Sequence, residues 1–215
     1  MWARPHLVLA LPFFIAELVL RQRETGHGGW GAVRPVAGLA APLALAAAAL
    51  LGYNWARFGK PLDFGYSRAS ADPALAQDLD TYGQFSLHYL DRNAAIALGG
   101  LPDFQASPPF FTPRLAGMSI FLTTPALLYL FRRMPRAPWE WGAWAAVAAL
   151  NVPLLLYYNT GWQQFGYRFS LDYMPLALSL VAANAGRRIS PVLAALIGLS
   201  CLINLRGIVW WLGGP

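Results

Sequence analysis

The 215-residue sequence predicts an all-α, polytopic membrane protein: about six transmembrane helices, with an outer loop that contains a juxtamembrane amphipathic helix. Three observations carry that expectation. Apolar residues make up 57% of the chain and charged residues only 12%, too few to give every helix a solvated face. The apolar residues fall in long blocks with the charges collected between them. The arginines in those gaps concentrate at alternate junctions, the asymmetry of loops that stay on the cytoplasmic side.

The first block, HLVLALPFFIAELVL at residues 6–20, is closed by RQRE. Its basic cluster follows the apolar run and no small-residue cleavage pattern is evident, so it reads as a retained helix and not a secretory signal. The second, residues 33–55, has an alanine-rich middle suited to close helix packing. The third and fourth cover residues 117–131 and 141–158, and Pro125 and Pro153 are expected to bend them. The fifth, FSLDYMPLALSLVAAN at 169–184, would cover about 24 Å against a hydrocarbon layer of about 30 Å, so a re-entrant segment stays open as an alternative. The sixth, residues 190–211, is long enough to span.

Arg21, Arg23 and Arg34, then Arg132, Arg133 and Arg136, then Arg187 and Arg188 mark the cytoplasmic junctions. The chain then divides into two N-terminal membrane helices (1–56), an extracytoplasmic loop (57–114) and four C-terminal membrane segments (115–215). This orientation puts Met1 outside, which one further upstream helix would explain. Tryptophans favour the same depths, with Trp30, Trp139, Trp141 and Trp144 at the inner boundary and Trp55, Trp162, Trp210 and Trp211 at the outer one. In the loop, Asp72-Pro73 reads as a helix start, and Leu75, Leu79, Tyr82, Phe85 and Tyr89 recur at helical spacing. Proline and glycine in 98–114 end that pattern.

Several functions are disfavoured. The net charge of +6 forms no compact basic stripe, so nucleic acid is not a partner. Cys201 is the only cysteine, and His6, His27 and His88 are dispersed, so neither a metal site nor a cofactor is expected. No HExxH box, GxSxG elbow or phosphate-cradling glycine loop is present. The outer carboxylates, Asp63 excepted, read as capping and surface groups; Asp63 sits beside a span in an aromatic, glycine-containing loop. No catalytic residue is assigned.

What remains is a rim at the outer boundary. Arg57, Lys60, Arg114, Arg168 and Arg206 supply positive charge suited to a phosphate-bearing lipid. Asp63 and Asp172 accompany them, and Arg168 and Asp172 stand four apart, a spacing that also suits a structural pair. Tyr66, Trp162 and Tyr167 offer flat apolar surfaces with polar tips for an adjoining sugar.

Three stretches, NWARFGKPLDFGY, GMSIFLTTPALLYLF and YNTGWQQFGYRFSLDYMP, together resemble the later portion of bacterial multi-pass GT-C-type glycosyltransferases. That group includes protein mannosyltransferase-like and lipopolysaccharide sugar transferase-like proteins. Asn54, Arg57, Gly59 and Pro61 carry the first element; Ser119, Thr123, Thr124 and Pro125 the second; Trp162, Phe165, Gly166, Arg168 and Pro175 the third. The resemblance implies the bacterial inner membrane and a polyprenyl-phosphate-linked sugar donor on its outer side. The family's catalytic aspartate lies in an outer loop that precedes the matched portion, so no residue here inherits that role. The chain is thus expected to be a partial or split transferase-like protein, with membrane lipids and an upstream membrane subunit carrying the catalytic loop as partners. Two other readings stand beside it. In one, the chain is a non-catalytic scaffold or partner subunit; in the other, it is a small-solute transporter using its proline-bent helices.

Overall fold

The computed structural model describes residues 4–26, 31, 33–65, 73–108, 110–161 and 163–213. They form a mostly helical protein in two units, Met1–Leu79 and Asp80–Pro215, the division falling within helix α3 (Pro73–Tyr82). The expected cap Asp72 lies outside the described residues.

In the first unit a 3-10 turn, Pro5–Ala10, runs into α1 (Leu11–Glu24), whose last turn carries Arg21 and Arg23 where the helix dipole favours cations. Helix α2 (Val33–Phe58) keeps Pro42 inside its length. Among the described residues three helical stretches are long and apolar enough to cross a membrane: Pro5–Glu24, Val33–Phe58 and Pro191–Leu212. Their side chains stay largely uncovered by the protein, as apolar surface facing lipid would.

The second unit follows with α4 (Leu90–Gly99) and an antiparallel ribbon of β1 (Asp103–Phe104) and β2 (Phe111–Thr112). Helices α5 (Ile120–Thr123), α6 (Pro138–Leu155), α7 (Met174–Ala185) and α8 (Pro191–Leu212) complete it. Tyr89, Met118, Leu127, Leu150 and Tyr167 are its most completely enclosed large side chains.

Three expected helices take a different form. The outer-loop helix is two: α3 stops at Tyr82 because Gly83 adopts φ +76°, a left-handed conformation open to glycine, and α4 starts anew at Leu90. The third apolar segment is broken where a bend was expected. Thr124 takes φ −136°, ψ 72°, since the residue before a proline is pushed out of the helical region, and the chain resumes as a 3-10 helix, Pro125–Phe131. Helix α8 compensates the break: Ser200 Oγ accepts the Ala126 N–H (3.3 Å) and Asn204 Nδ2 donates to the Thr123 carbonyl (2.7 Å). The fifth segment begins as a 3-10 helix, Arg168–Asp172, leaving α7 only 12 residues long.

Polar groups fasten both ends of α6. At its N-terminus Glu140 receives a two-pronged ion pair from Arg133 (2.8 and 2.9 Å) and the backbone N–H of Arg136 (2.8 Å). Arg133 also donates to the Ala183 carbonyl, and Arg132 to that of Asn184, so one cluster ties the end of α7 to the start of α6. At the other end Asn93 Nδ2 donates to the carbonyls of Leu155 (2.9 Å) and Tyr157 (2.7 Å), and Arg92 to that of Tyr158.

The Arg133 hydrogen bonds hold the Glu140 carboxyl down to about 2, against the opposing pull of its burial. A carboxyl depressed on folding stabilises the native state above its unfolded value, about 4.3, and that contribution disappears as pH falls toward 2. Melting temperatures of the detergent-solubilised chain should therefore decline through that window. Glu140→Gln should melt lower at pH 7 and show a flatter profile across the same range.

Candidate functional site

The junction between α6 and α7 is built on one buried side chain. Asn159 Oδ1 accepts the Gly161 N–H (2.7 Å) and turns the chain back toward residues 115–118. Gln164, only 4% exposed, then enters the protein. Its Nε2 donates to the carbonyls of Ala116 (2.6 Å) and Thr160 (2.7 Å), and its Oε1 accepts the backbone N–H of Arg168 (3.0 Å). Room for it comes from Gly117 and Gly161, both at positive φ; a Cβ on either would stand 2.8 or 2.7 Å from the Gln164 side chain. Beyond it the chain pairs in parallel with Met118: the Met118 N–H bonds the Phe165 carbonyl and the Tyr167 N–H bonds the Met118 carbonyl, each at 3.0 Å.

This pairing presents Arg168 to solvent at the edge of a cleft of about 390 Å³. Gln163, Thr123, Thr124 and Asn204 supply polar groups there, while Phe165, Leu171, Met174 and Trp211 supply apolar walls. An adjoining, almost wholly apolar groove of about 300 Å³ runs along α8 and shares Phe165, Asn204 and Trp211 with it; Gly207, Ile208 and Leu212 complete its lining. The guanidinium of Arg168 lies over the Phe169 ring, 5.7 Å from its centroid, which steadies the charge while leaving it exposed.

The predicted site residues of the second unit have the following surroundings. Tyr167 and Arg168 line this cleft, but Tyr167 is 1% exposed and its hydroxyl donates inward to the Leu154 carbonyl (3.4 Å), leaving little of the ring for a sugar. Burial, reinforced by the neighbouring Tyr173 and Asp172, pushes its pKa up and keeps it neutral. Asp172 is half-buried on the same 3-10 helix as Arg168. There, residues three apart eclipse, so the four-residue spacing loses the alignment an α-helix would give. Arg114 instead pairs with Asp103 (2.7 Å) on the ribbon, beside a separate cavity of about 560 Å³. Arg206 stacks over Phe111 at 5.6 Å.

In the first unit, Arg57 lies in the last turn of α2, and Lys60 and Asp63 in the turn that follows it. Arg57 stacks over Tyr53 and Phe58, Lys60 is exposed, and Asp63 Oδ1 accepts the Gly65 N–H (2.9 Å) to shape the turn. Tyr66 and Trp162 lie outside the described residues. Among the described residues no three His, Cys, Asp or Glu side chains converge as metal ligands. Sequence reasoning missed Gln163, Gln164 and Thr124 as site-builders and did not place Asn204 in the site. The glutamines sit in the very junction that drew attention, but their burial carries no local signal. No protein-family model, curated protein or solved structure matches the chain.

Replacing Gln164 by alanine removes its hydrogen bonds to the carbonyls of Ala116 and Thr160, worth roughly 0.5–1.5 kcal/mol each. Unfolding of the Gln164→Ala chain in mixed micelles should shift by that order. Gly161→Ala should also destabilise, since its Cβ would need both an unfavourable φ of +98° and the space of the Gln164 amide.

Proposed function

We propose that this protein is a multi-pass membrane protein of about six membrane segments that recognises a phosphate-bearing lipid at the cleft beside Arg168. The observation that carries this reading is the amphiphilic continuity of the two hollows. An exposed guanidinium and amide stand at one, and apolar surface on α8 continues from it. A phosphate suits Arg168 because the planar fork donates two hydrogen bonds to it. Gln163, Thr124 and Asn204 offer donors and acceptors for polar groups attached to that phosphate. Phe165, Ile208 and Leu212 offer the apolar contact that a lipid tail needs.

Together with the sequence resemblance, this supports a partial or split relative of polyprenyl-phosphate sugar transferases in the bacterial inner membrane, with the junction on the extracytoplasmic side. Among the described residues no Asp or Glu lines the cleft. A sugar transfer needs a group to accept the acceptor's proton as the sugar–phosphate bond breaks, so on this reading a partner membrane subunit supplies that carboxylate. The chain's own contribution is to bind and orient the donor.

Arg168→Ala, inserted normally, should bind polyprenyl-phosphate in nanodiscs about 10- to 100-fold more weakly, the loss of a charge-assisted contact of about 1.5–3 kcal/mol. Arg168→Lys should recover part of the affinity, since it restores the charge without the fork. Equal affinity of the native and Arg168→Ala chains would overturn the assignment.

A further inference from the structure

The turn between α3 and α4 carries a surface whose chemistry differs from that of an ordinary connection. Phe85 is 54% exposed, Leu87 76% and Leu90 36%. Backbone geometry sets all three on one side. Ser86 is extended (φ −151°, ψ 148°), so Phe85 and Leu87 point the same way. Leu87–Tyr89 is a 3-10 turn leading into α4, so Leu87 and Leu90, three apart, eclipse. Tyr89, between them, is fully buried, and its hydroxyl donates to the Gly83 carbonyl (2.8 Å).

Four of the peptide N–H groups behind this crown are paired within the protein. The Ser86 N–H donates to the Leu156 carbonyl (2.9 Å), the His88 N–H to Ser86 Oγ (3.2 Å), the Tyr89 N–H to the Ser86 carbonyl (3.2 Å) and the Leu90 N–H to the Leu87 carbonyl. A water-exposed loop needs no such internal pairing, whereas a segment entering lipid does, because hydrocarbon offers backbone donors no partner. The crown also continues an apolar surface. Trp141, Ala145, Ala148 and Val152 are exposed at helical spacing along α6, and Val152 stands one turn before Leu156, whose carbonyl holds Ser86. Beside the crown, Tyr82 stacks on His88 (centroids 3.7 Å apart, planes at 12°), a pair of rings with polar atoms of the kind favoured at headgroup depth.

We propose that Phe85, Leu87 and Leu90 form a membrane-dipping tip, inserted into the lipid interface at the C-terminal end of α6. The occupant of this surface is lipid. The tip's seating is independent of the cleft beside Arg168 and of what that cleft binds.

The test uses the full chain in phosphatidylcholine–phosphatidylglycerol vesicles, with the exposed native cysteine removed as Cys201→Ala. Nitroxide labels are placed singly by Leu87→Cys and Leu90→Cys, with Glu24→Cys as an exposed, charged reference. At 87 and 90, oxygen should relax the label several-fold more, relative to a water-soluble nickel complex, than at 24. Nickel accessibility at 87 and 90 equal to that at 24 would overturn the proposal. So would strong dipolar broadening at either site that vanishes on dilution with unlabelled chain, which would make a second copy the occupant.

Discussion

The amide of Gln164 is the constraint on which the organisation of the second unit rests. It bonds segments 48 residues apart in sequence and leaves no amide proton idle. With it in place, the two glycines at positive φ, the parallel pairing to Met118 and the outward setting of Arg168 follow as one arrangement. An aliphatic side chain of similar size could fill the space but could satisfy neither Ala116 nor Thr160. A charged one would need a counter-charge that the surrounding carbonyls do not provide.

Asparagine does a related job elsewhere. Asn54 donates to the Pro61 carbonyl, Asn93 to those of Leu155 and Tyr157, Asn184 to those of Tyr129 and Leu130, and Asn204 to those of Thr123 and Ser200. Each serves at least one carbonyl at or near a place where regular helix ends. In a chain with few charges, these amides let apolar helices stop, break and turn without leaving backbone groups stranded. The ionic cluster at Arg133 and Glu140 is the charged version of the same device, fixing the start of α6 instead of its end.

The helical, apolar character was legible in the sequence because it is written in block length and composition, which need no tertiary information. The helices around residues 6–20, 33–55 and 190–211 therefore appear close to where hydropathy put them. The break before Pro125 was not legible. A proline in an apolar run can bend a helix or end it, and which happens depends on whether something distant, here Ser200 and Asn204, supplies the missing partners. Arg168 stood out as a charge at an apolar boundary, and it is exposed beside a cleft. Tyr167 looked equivalent, yet it is 1% exposed and its hydroxyl donates inward to the Leu154 carbonyl, which no local pattern announces. Arg114 and Arg206 were grouped with Arg168 by charge alone. Arg114 pairs with Asp103 and Arg206 stacks over Phe111, and neither is among the residues lining the cleft beside Arg168.

The cleft draws its lining from Thr123 through Trp211, and Asn204 on the final helix is what satisfies the broken backbone at its floor. A ribosome therefore releases most of the unit before the hollow has a complete wall. Until α8 emerges, the Thr123 carbonyl lacks its amide donor and the gap before Pro125 has nothing to lean on. Assembly thus has a built-in order, in which the cleft takes shape only once α8 has joined the segments that precede it.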